Sequence, residues 1–537
     1  MKVVTRSQMQ EMDRGAVAAG VPSLTLMERA GRGLLRSLVA RVPHLSSRPV
    51  WILCGKGNNG GDGLVLSRLL LERGIRCKTI LLAERSSLSG DAAINAERAE
   101  RLGLVLSAPS ESAREQLARL GPDAVIVDAL LGTGLTGPAH GILAEWIEAA
   151  SRSRACILAV DIPSGMAADD FRTSGPVMRA SWTVTMAWPK RSFFFAPARG
   201  IVGGVDLVDI GIPESVTDEV GWDAQVLTPE EAASWLPSGR ERDHKGRWGR
   251  LLVAGGSPGL AGAPGMASRA ALRCGSGLVR TAVPVSLAPL AHSAASESMT
   301  IHLPEGEEGQ ILASGADRLL SGFGNWDALV IGPGLGRFPD TDRFVLKLLG
   351  GWSRPMVIDA DALNVLAAWG PDSWVPRARE IRAAGIAGGV VLTPHAGELA
   401  RLTGSAIDSL QSDPISTARI WAERWGTTLV FKGAPSVIDS PEGEVWVNPT
   451  GNSGLATGGS GDILSGIIGA LLGQGMDGPR AAVLGCYLHG LAADLWVSEP
   501  DRAQRSLLPS DVIETLPRAI RDVEERATPP RWRWRWI

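Results

Sequence analysis

Short apolar runs, each closed by glycine, aspartate or proline and followed by a helical pattern, return along almost the whole chain. "PVWILCG" (49–55) leads into a glycine loop and the helical "LVLSRLLLERG". "CKTILLA" (77–83), "AVIVDAL" (124–130) and "ACILAVDIPSG" (155–165) follow, and then "WTVTMAW" and "GVDLVDIGIP". Strands that are apolar on both sides and separated by helices predict a parallel sheet covered on both faces. Two helices, at about 6–20 and 22–41, should precede the first strand.

The rhythm breaks between about 212 and 245, around "TPEEAASWLP" and the polar "SGRERDHKG". It restarts with "RLLVAGGS", "ALVIGPGLG", "PMVIDADALN", "GVVLTPHAGE" and "TTLVFKG", then a hairpin around "SVIDSPEGEVWVN" and three helical segments. A chain of 537 residues exceeds one ordinary core. The expected organisation is two α/β domains in tandem: 1–215, a linker over 216–243, a second domain over 244–520 and a tail over 521–537. The alternating "RWRWRWI" (531–537) could adhere to membrane or nucleic acid, but after "TPP" it reads more simply as a frayed terminus.

Charge and cysteine usage exclude several classes. The net charge of −3 gives no basic field for nucleic acid. The five cysteines are dispersed and odd in number, which argues against a disulfide framework or zinc site. The N-terminal stretch lacks a signal-type apolar segment, and no apolar run approaches the roughly 20 residues of a membrane helix. A cytoplasmic protein without membrane or nucleic-acid partners is expected.

"CGKGNNGGDG" (54–63) joins a strand to a helix, where backbone N–H groups can meet an anion. It is neither a Walker loop nor a regularly spaced Gly-x-Gly-x-x-Gly. Alone it fits equally a tight turn with Asp62 as helix cap. Two further strand ends change the balance. "VDALLGTGLTGP" sets Asp128 before a second loop, Gly132 to Pro138, and "AVDIPSG" supplies Asp161 and Ser164. Carboxylates and glycines converging from three neighbouring strand ends are better explained as a site.

"LMERAG", "GKGNNGGDG", "DALLGTGL", "DIPSG" and "TVTMAWPK", in this order over about 1–215, resemble the NAD(P)H-hydrate epimerase domain. The resemblance implies a Rossmann-like three-layer sandwich. It implies hydrate binding by Asn58, Asn59, Gly60, Gly61 and Asp62, by Gly132, Thr133, Gly134, Leu135, Thr136, Gly137 and Pro138, and by Asp161. It also implies a potassium ion near Asn59, Asp128 and Ser164, whose hard oxygens of low total charge suit an alkali ion. Asp161 and Lys190 are the candidates for proton transfer, with a snorkelling surface lysine as the alternative for Lys190.

In the second half, "VAGGSPGLAGAP" (253–264), "IGPGLG" (331–336), "LTPHAGE" (392–398), "FKGAPS" (431–436) and "TGNSGLATGGSGD" (450–462) all follow apolar runs. His395 is a rigid loop residue or a cap. Lys432, at a strand end, needs an anionic partner if buried, and a nucleotide phosphate would be one. Asp462 is read as the residue that begins the helix from Ile463, beside a glycine loop able to serve as turn, cap or phosphate cradle.

These segments, with "HKGRWGRLLVAGGS" and "VIDADALN", resemble the ribokinase-like superfamily and more closely the ADP-dependent NAD(P)H-hydrate dehydratases, over about 244–490. The resemblance implies a ribokinase-like α/β domain. Hydrate contacts are then expected at Ala263, Gly334, His395 and Asp462. Nucleotide contacts are expected at Lys432, Gly433, Ala434, Pro435, Ser436 and Gly461, with Ser436 standing where threonine is common.

Hydration of a reduced nicotinamide ring gives a dead-end alcohol, and hydroxide is a poor leaving group. Phosphorylation would make it a good one, and the ring nitrogen can then expel phosphate. The expected enzyme therefore epimerises R and S hydrates of NADH and NADPH in its first domain. It dehydrates the S hydrate in its second, with ADP as phosphoryl donor, Mg²⁺ on the phosphates and Asp462 as general base. A homo-oligomer is expected. The alternative is a ribokinase-like small-molecule kinase fused to a non-catalytic nucleotide-binding module.

Overall fold

The computed structural model describes all residues except 136, 240–243, 322–325, 386–388, 531 and 533. The chain divides into two compact units. The first runs over Met1–Ala224 and includes a strand at Trp534–Trp536, and the second spans Gln225–Trp532.

The first unit opens with α1 (Arg6–Ala18) and α2 (Ser23–Arg41). Thr5 closes α1 with a capping box shared with Gln8. Then come β1 (Val50–Cys54), α3 (Asn58–Glu72), β2 (Lys78–Leu81), α4 (Gly90–Arg101) and β3 (Leu106–Ser107). The chain continues through α5 (Glu111–Ala118), β4 (Val125–Ala129), α6 (Gly141–Arg152), β5 (Cys156–Val160), β6 (Trp182–Met186) and β7 (Gly204–Val208). The sheet is parallel throughout, in the order Trp534–Trp536, β7, β6, β5, β4, β1, β2, β3. Every residue of β1, β4 and β6 is buried, as the uninterrupted apolar runs predict. Strand order reverses between β1 and β4, and a crevice opens at that point beyond the strand ends.

The second unit builds a mixed sheet around β8 (Arg250–Ala254), followed by α7 (Gly262–Arg273), β9 (Leu278–Pro284) and β10 (Met299–Leu303). It continues with β11 (Ala328–Ile331), β12 (Met356–Ile358), α8 (Ala360–Trp369), β13 (Val390–Leu392), α9 (Ala396–Thr403) and β14 (Thr428–Phe431). An antiparallel edge forms from β15 (Val437–Asp439) and β16 (Trp446–Val447). Strand order is β16, β15, β14, β13, β12, β11, β8, β9, β10, so the reversal lies between β8 and β11. Three helices close the unit: α10 (Ser460–Gly473), α11 (Gly478–Val497) and α12 (Pro509–Glu524). The first two are buried on nearly all sides, with Ile467, Ile468, Leu484 and Leu488 inaccessible to solvent.

Three details differ from the sequence reading. Helices at Glu214–Val220 and Pro229–Trp235 occupy much of the expected linker, and the units divide at Ala224. The two strands β9 and β10 extend the second sheet where the sequence shows no clean apolar run. The Arg/Trp segment is not frayed: Trp534–Trp536 pairs in parallel with β7. Its period of two matches a strand, with a buried carboxylate, Asp206, waiting for the arginine.

Among the described residues no helix is long and apolar enough to cross a membrane. All five cysteines are free thiols.

Candidate functional sites

At the reversal point of the first sheet lies a cavity of about 1040 Å³, lined from the ends of β1, β4, β5 and β6 and from α1 and α2. Asn58, Asn59, Asp62, Gly132, Thr133, Gly134, Leu135 and Asp161 all line it. Gly60 and Gly61 do not; they are packing positions. A Cβ on Gly60 would stand 1.9 Å from the carbonyl oxygen of Gly55, so only glycine lets α3 sit this close to β1. Gly137 and Pro138 do not line the cavity, and Thr136 falls outside the described residues. The helix begins at Asn58, with Gly57 as its cap residue, so Asp62 is inside the helix and does not cap it.

Asp161 follows β5 with φ of 60°, a left-handed conformation rare for aspartate. Its Oδ1 accepts from the Met186 N–H at 3.1 Å, the Thr185 hydroxyl at 3.0 Å and Lys190 Nζ at 2.5 Å. Lys190 is 0% exposed, which removes the surface-lysine alternative. Its ammonium also reaches Thr185 Oγ1 at 2.9 Å and the carbonyls of Trp188 and Met186 at 3.2 and 3.3 Å. Lys190 stands behind Asp161, whereas Asp161 faces the cavity.

Two more carboxylates share this space. Asp62 is pushed well above the usual carboxylate range by burial, then by Asp161 and Asp13. Asp13 on α1 is pushed up to about 6 by desolvation and by Asp161, against the pull of Lys190. The sequence reading missed Asp13, because a lone aspartate in an amphipathic helix carries no signal of the strand ends opposite it.

Asn59, Asp128 and Ser164 meet around the backbone of Leu131. Asn59 Nδ2 donates to the Leu131 carbonyl at 3.0 Å, and the Leu131 N–H donates to Ser164 Oγ at 2.9 Å. Asp128 accepts from the Ser164 N–H at 2.8 Å and the Ser164 hydroxyl at 2.6 Å. Burial still pushes the Asp128 carboxyl up to about 6 despite these bonds. A fully buried carboxylate among neutral oxygens, with no cationic partner among these contacts, fits a singly charged cation.

In the second unit the ends of β8, β11, β12, β13 and β14, consecutive in space, carry the candidate residues. Ala263, in the first turn of α7, and Gly334 face each other across the reversal point. A Cβ on Gly334 would lie 3.0 Å from that of Ala263. Gly332 has φ of 128°, and a Cβ there would stand 1.8 Å from the Asp359 carbonyl oxygen. Asp361 Oδ2 accepts from the Gly336 N–H at 2.9 Å, tying the two loops together.

Lys432 extends from β14 to Asp359 Oδ1 at 2.8 Å, with Glu398 Oε2 at 3.7 Å. Burial pulls the lysine down, but Asp359 and Glu398 outweigh it and hold it above its ordinary value. The anionic partner inferred from sequence is therefore present in the protein itself. Asp359, in the "VIDADALN" segment, supplies it. Ser465 Oγ donates to the other Asp359 oxygen.

His395 is the cap of α9. Its Nδ1 accepts from the Gly397 and Glu398 N–H groups at 3.0 and 3.3 Å, while Glu398 returns a bond to the His395 N–H at 2.8 Å. Burial, then Lys432 and Arg401, lower its pKa, which favours the neutral ring, and its Nε2 lies 3.5 Å from Glu398 Oε1. In the 432–436 loop, Gly433 and Ser436 close a tight turn through bonds of 3.4 and 3.5 Å, with Gly433 and Ala434 exposed and Pro435 buried.

The helix α10 starts at Ser460, capped by Gly459 at φ of 94°, three residues earlier than the sequence suggested. Asp462 is thus in the first turn and is not the cap. Its carboxyl is pushed up to about 7 by burial and by Asp359, against Lys432. Gly461 lies beside Lys432: a Cβ there would be 3.4 Å from the lysine Nζ. His489, on α11, meets the Ser460 hydroxyl at 3.2 Å and is lowered to about 4 by burial, then by Lys432.

A Rossmann-like parallel unit joined to a ribokinase-like unit, each with polar side chains gathered where its strand order reverses, defines a fused small-molecule enzyme. Residues 251–518 match the NAD(P)H-hydrate dehydratase family, and residues 23–192 match the YjeF-related protein N-terminus. The chain is 41% identical to the bifunctional NAD(P)H-hydrate repair enzyme Nnr of Moorella thermoacetica, over 98% of both chains. It is 36% identical to that of Escherichia coli, over 94% of this chain and 91% of the other. It is also similar, at 29% identity and a TM-score of 0.47, to the ADP/ATP-dependent NAD(P)H-hydrate dehydratase of Bacillus subtilis, covering 56% of this chain and 99% of that one. The chain belongs to the bifunctional NAD(P)H-hydrate repair enzymes.

Proposed function

We propose that the protein restores hydrated NADH and NADPH, with the first unit interconverting R and S hydrates and the second dehydrating the S hydrate. The observation that carries the chemical assignment is Asp462: a carboxyl pushed up to about 7 in the first turn of a helix, beside Lys432. Such a group is a base strong enough to take an alcohol proton yet is still substantially ionised near neutrality. The first-turn N–H groups of α10 point outward from the helix and favour an anion, which suits a transferring phosphoryl group.

The reaction follows from these parts. Asp462 removes the proton of the ring hydroxyl as its oxygen attacks the terminal phosphorus of ADP, and AMP departs. Lys432, held by Asp359 and Glu398, supplies fixed positive charge next to Gly461. The ring nitrogen then drives out phosphate and the ring double bond returns. The sum is hydrate plus ADP giving NAD(P)H, AMP and phosphate. Mg²⁺ would neutralise charge on the nucleotide. Among the described residues no cluster of three or more His, Cys, Asp or Glu is arranged to hold a metal, so the phosphates are its natural ligands. ADP rather than ATP as donor is part of this proposal.

In the first unit Asp161 faces the cavity and is the group placed to move a proton at the hydrate's ring hydroxyl. Lys190 orients it from behind. Asn59, Asp128, Ser164 and the Leu131 carbonyl would hold potassium, which would supply a fixed positive charge beside the loop from Gly132. The protein is proposed to act in the cytoplasm, where its free thiols are stable, and as a homo-oligomer.

Asp462→Asn tests the assignment. With folding verified by circular dichroism, nucleotide-dependent recovery of reduced-nicotinamide absorbance is expected to fall by roughly 10²–10⁴-fold. Recovery near the wild-type rate would remove Asp462 as the base.

A further inference from the structure

The Trp534–Trp536 strand belongs to the sheet of the first unit, although 329 residues separate Arg535 from its partner Asp206. Its register sets Trp534 beside Val205, Arg535 beside Asp206 and Trp536 beside Leu207, and the Ile537 N–H donates to the Leu207 carbonyl at 3.0 Å. Arg535 forks onto Asp206 at 3.1 and 2.9 Å, opposite a second fork from Arg41 at 2.9 and 2.6 Å. Burial raises the Asp206 carboxyl, but the bonds from Arg41, Arg535 and Ser37 more than reverse that and keep it ionised.

Alternation sends the two indoles to the other side of the strand. Trp534 stacks on Phe194 with ring centres 4.5 Å apart, and Trp536 meets Trp188 edge-on at 5.5 Å. Trp188 and Phe194 bracket Lys190, and the Trp188 carbonyl is itself one of the acceptors of the Lys190 ammonium. The opposite flank of this segment is pinned by Val4, whose N–H reaches the Pro189 carbonyl and whose carbonyl takes the Arg191 N–H, both at 3.1 Å. No residue of the strand lines the cavity. The segment between these two clamps carries two fully buried polar side chains, Ser192 and Lys190, and Lys190 is the one that orients Asp161.

We infer that the Trp534–Trp536 strand is a positioning element for epimerisation: through Trp188 and Phe194 it fixes the segment from which Lys190 holds Asp161. The inference rests on the reading of Asp161 and Lys190 given under the proposed function. An edge strand that merely shields β7 would affect stability alone. A positioning strand sets the turnover of one reaction in a chain that carries out two.

The test uses the full chain. Trp534→Ala/Trp536→Ala, Trp534→Phe/Trp536→Phe and Lys190→Met are each assayed for epimerisation of R hydrate and, in the same preparation, for dehydration of purified S hydrate. The double alanine chain should lose roughly ten- to a hundredfold in epimerisation kcat, with KM little changed and dehydration at the wild-type rate. The phenylalanine pair, which keeps a ring at each contact, should regain most of it. An unchanged epimerisation kcat in the double alanine chain, or a loss no larger than its unfolded fraction in a thermal melt, overturns the inference. If the double alanine chain melts below the assay temperature, Trp536→Ala alone carries the test with the same outcomes, because that indole is 50% exposed. Lys190→Met separates the two levels. If it leaves epimerisation intact, the reading of the Asp161–Lys190 pair fails. If it abolishes epimerisation while the indole variants do nothing, only the positioning role fails.

Discussion

Asp161 and Asp462 are both strand-end or helix-start aspartates, yet they are prepared in opposite ways. Asp161 sits at φ of 60° and is anchored by three donors on one oxygen, a strained conformation worth about 1 kcal/mol or more that its surroundings must hold. Asp462 is raised by burial and by neighbouring carboxylates. A base must be ionised, so a raised pKa means activity is lost as pH falls through it. Dehydration kcat/KM is expected to be level above about pH 7 and to drop about tenfold per unit below it. An unshifted carboxylate would hold its activity down to about pH 4, so a profile still level at pH 5 would show that Asp462 does not set it. Some of this was legible beforehand. "DIPSG" and "GGSGD" marked both aspartates by their place after apolar runs and glycines. Asp13 and the salt-bridge role of Asp359 were not legible, because each acts on a residue far away in sequence.

Among elements, most strands and the starts of α1 and α2 were readable, and the starts of α3 and α10 were not. Continuous apolar runs such as "VWILC" and "TLVF" can only be central strands, and they are. In contrast β9 and β10 carry Arg280 and His302, which break the apolar run. The starts of α3 and α10 looked like loops because glycine is a poor helix former. At the start of α3 tight packing leaves no room for a side chain, since a Cβ on Gly60 would stand 1.9 Å from the Gly55 carbonyl oxygen, and inside α10 a Cβ on Gly466 would stand 2.1 Å from that of Ala267. Gly332 is the most demanding case, with φ of 128° and a carbonyl 1.8 Å from a would-be Cβ. Gly332→Ala is expected to destabilise the second unit by roughly 2–4 kcal/mol and to lower the melting temperature by several degrees. Calorimetry showing an unchanged transition would contradict the close approach.

At the scale of the molecule, two activities on one chain make a kinetic prediction. With nucleotide and an equal mixture of epimers, the wild-type chain should recover all reduced nicotinamide in one phase when epimerisation is fast. Asp161→Asn should recover the S fraction at the usual rate and leave the R fraction to slow spontaneous epimerisation, so the trace becomes biphasic. A single full-amplitude phase would mean that Asp161 is dispensable.

The strand at the edge of the first sheet also bears on how the protein is made. Asp206 leaves the ribosome hundreds of residues before Arg535 does. Through the synthesis of the entire second unit, the nascent first unit therefore carries an open β7 edge. Its Asp206 carboxylate is then served by one arginine fork where the finished protein has two. The order of translation thus differs from the order of assembly, and a chain truncated anywhere in the second unit also leaves the first one unfinished.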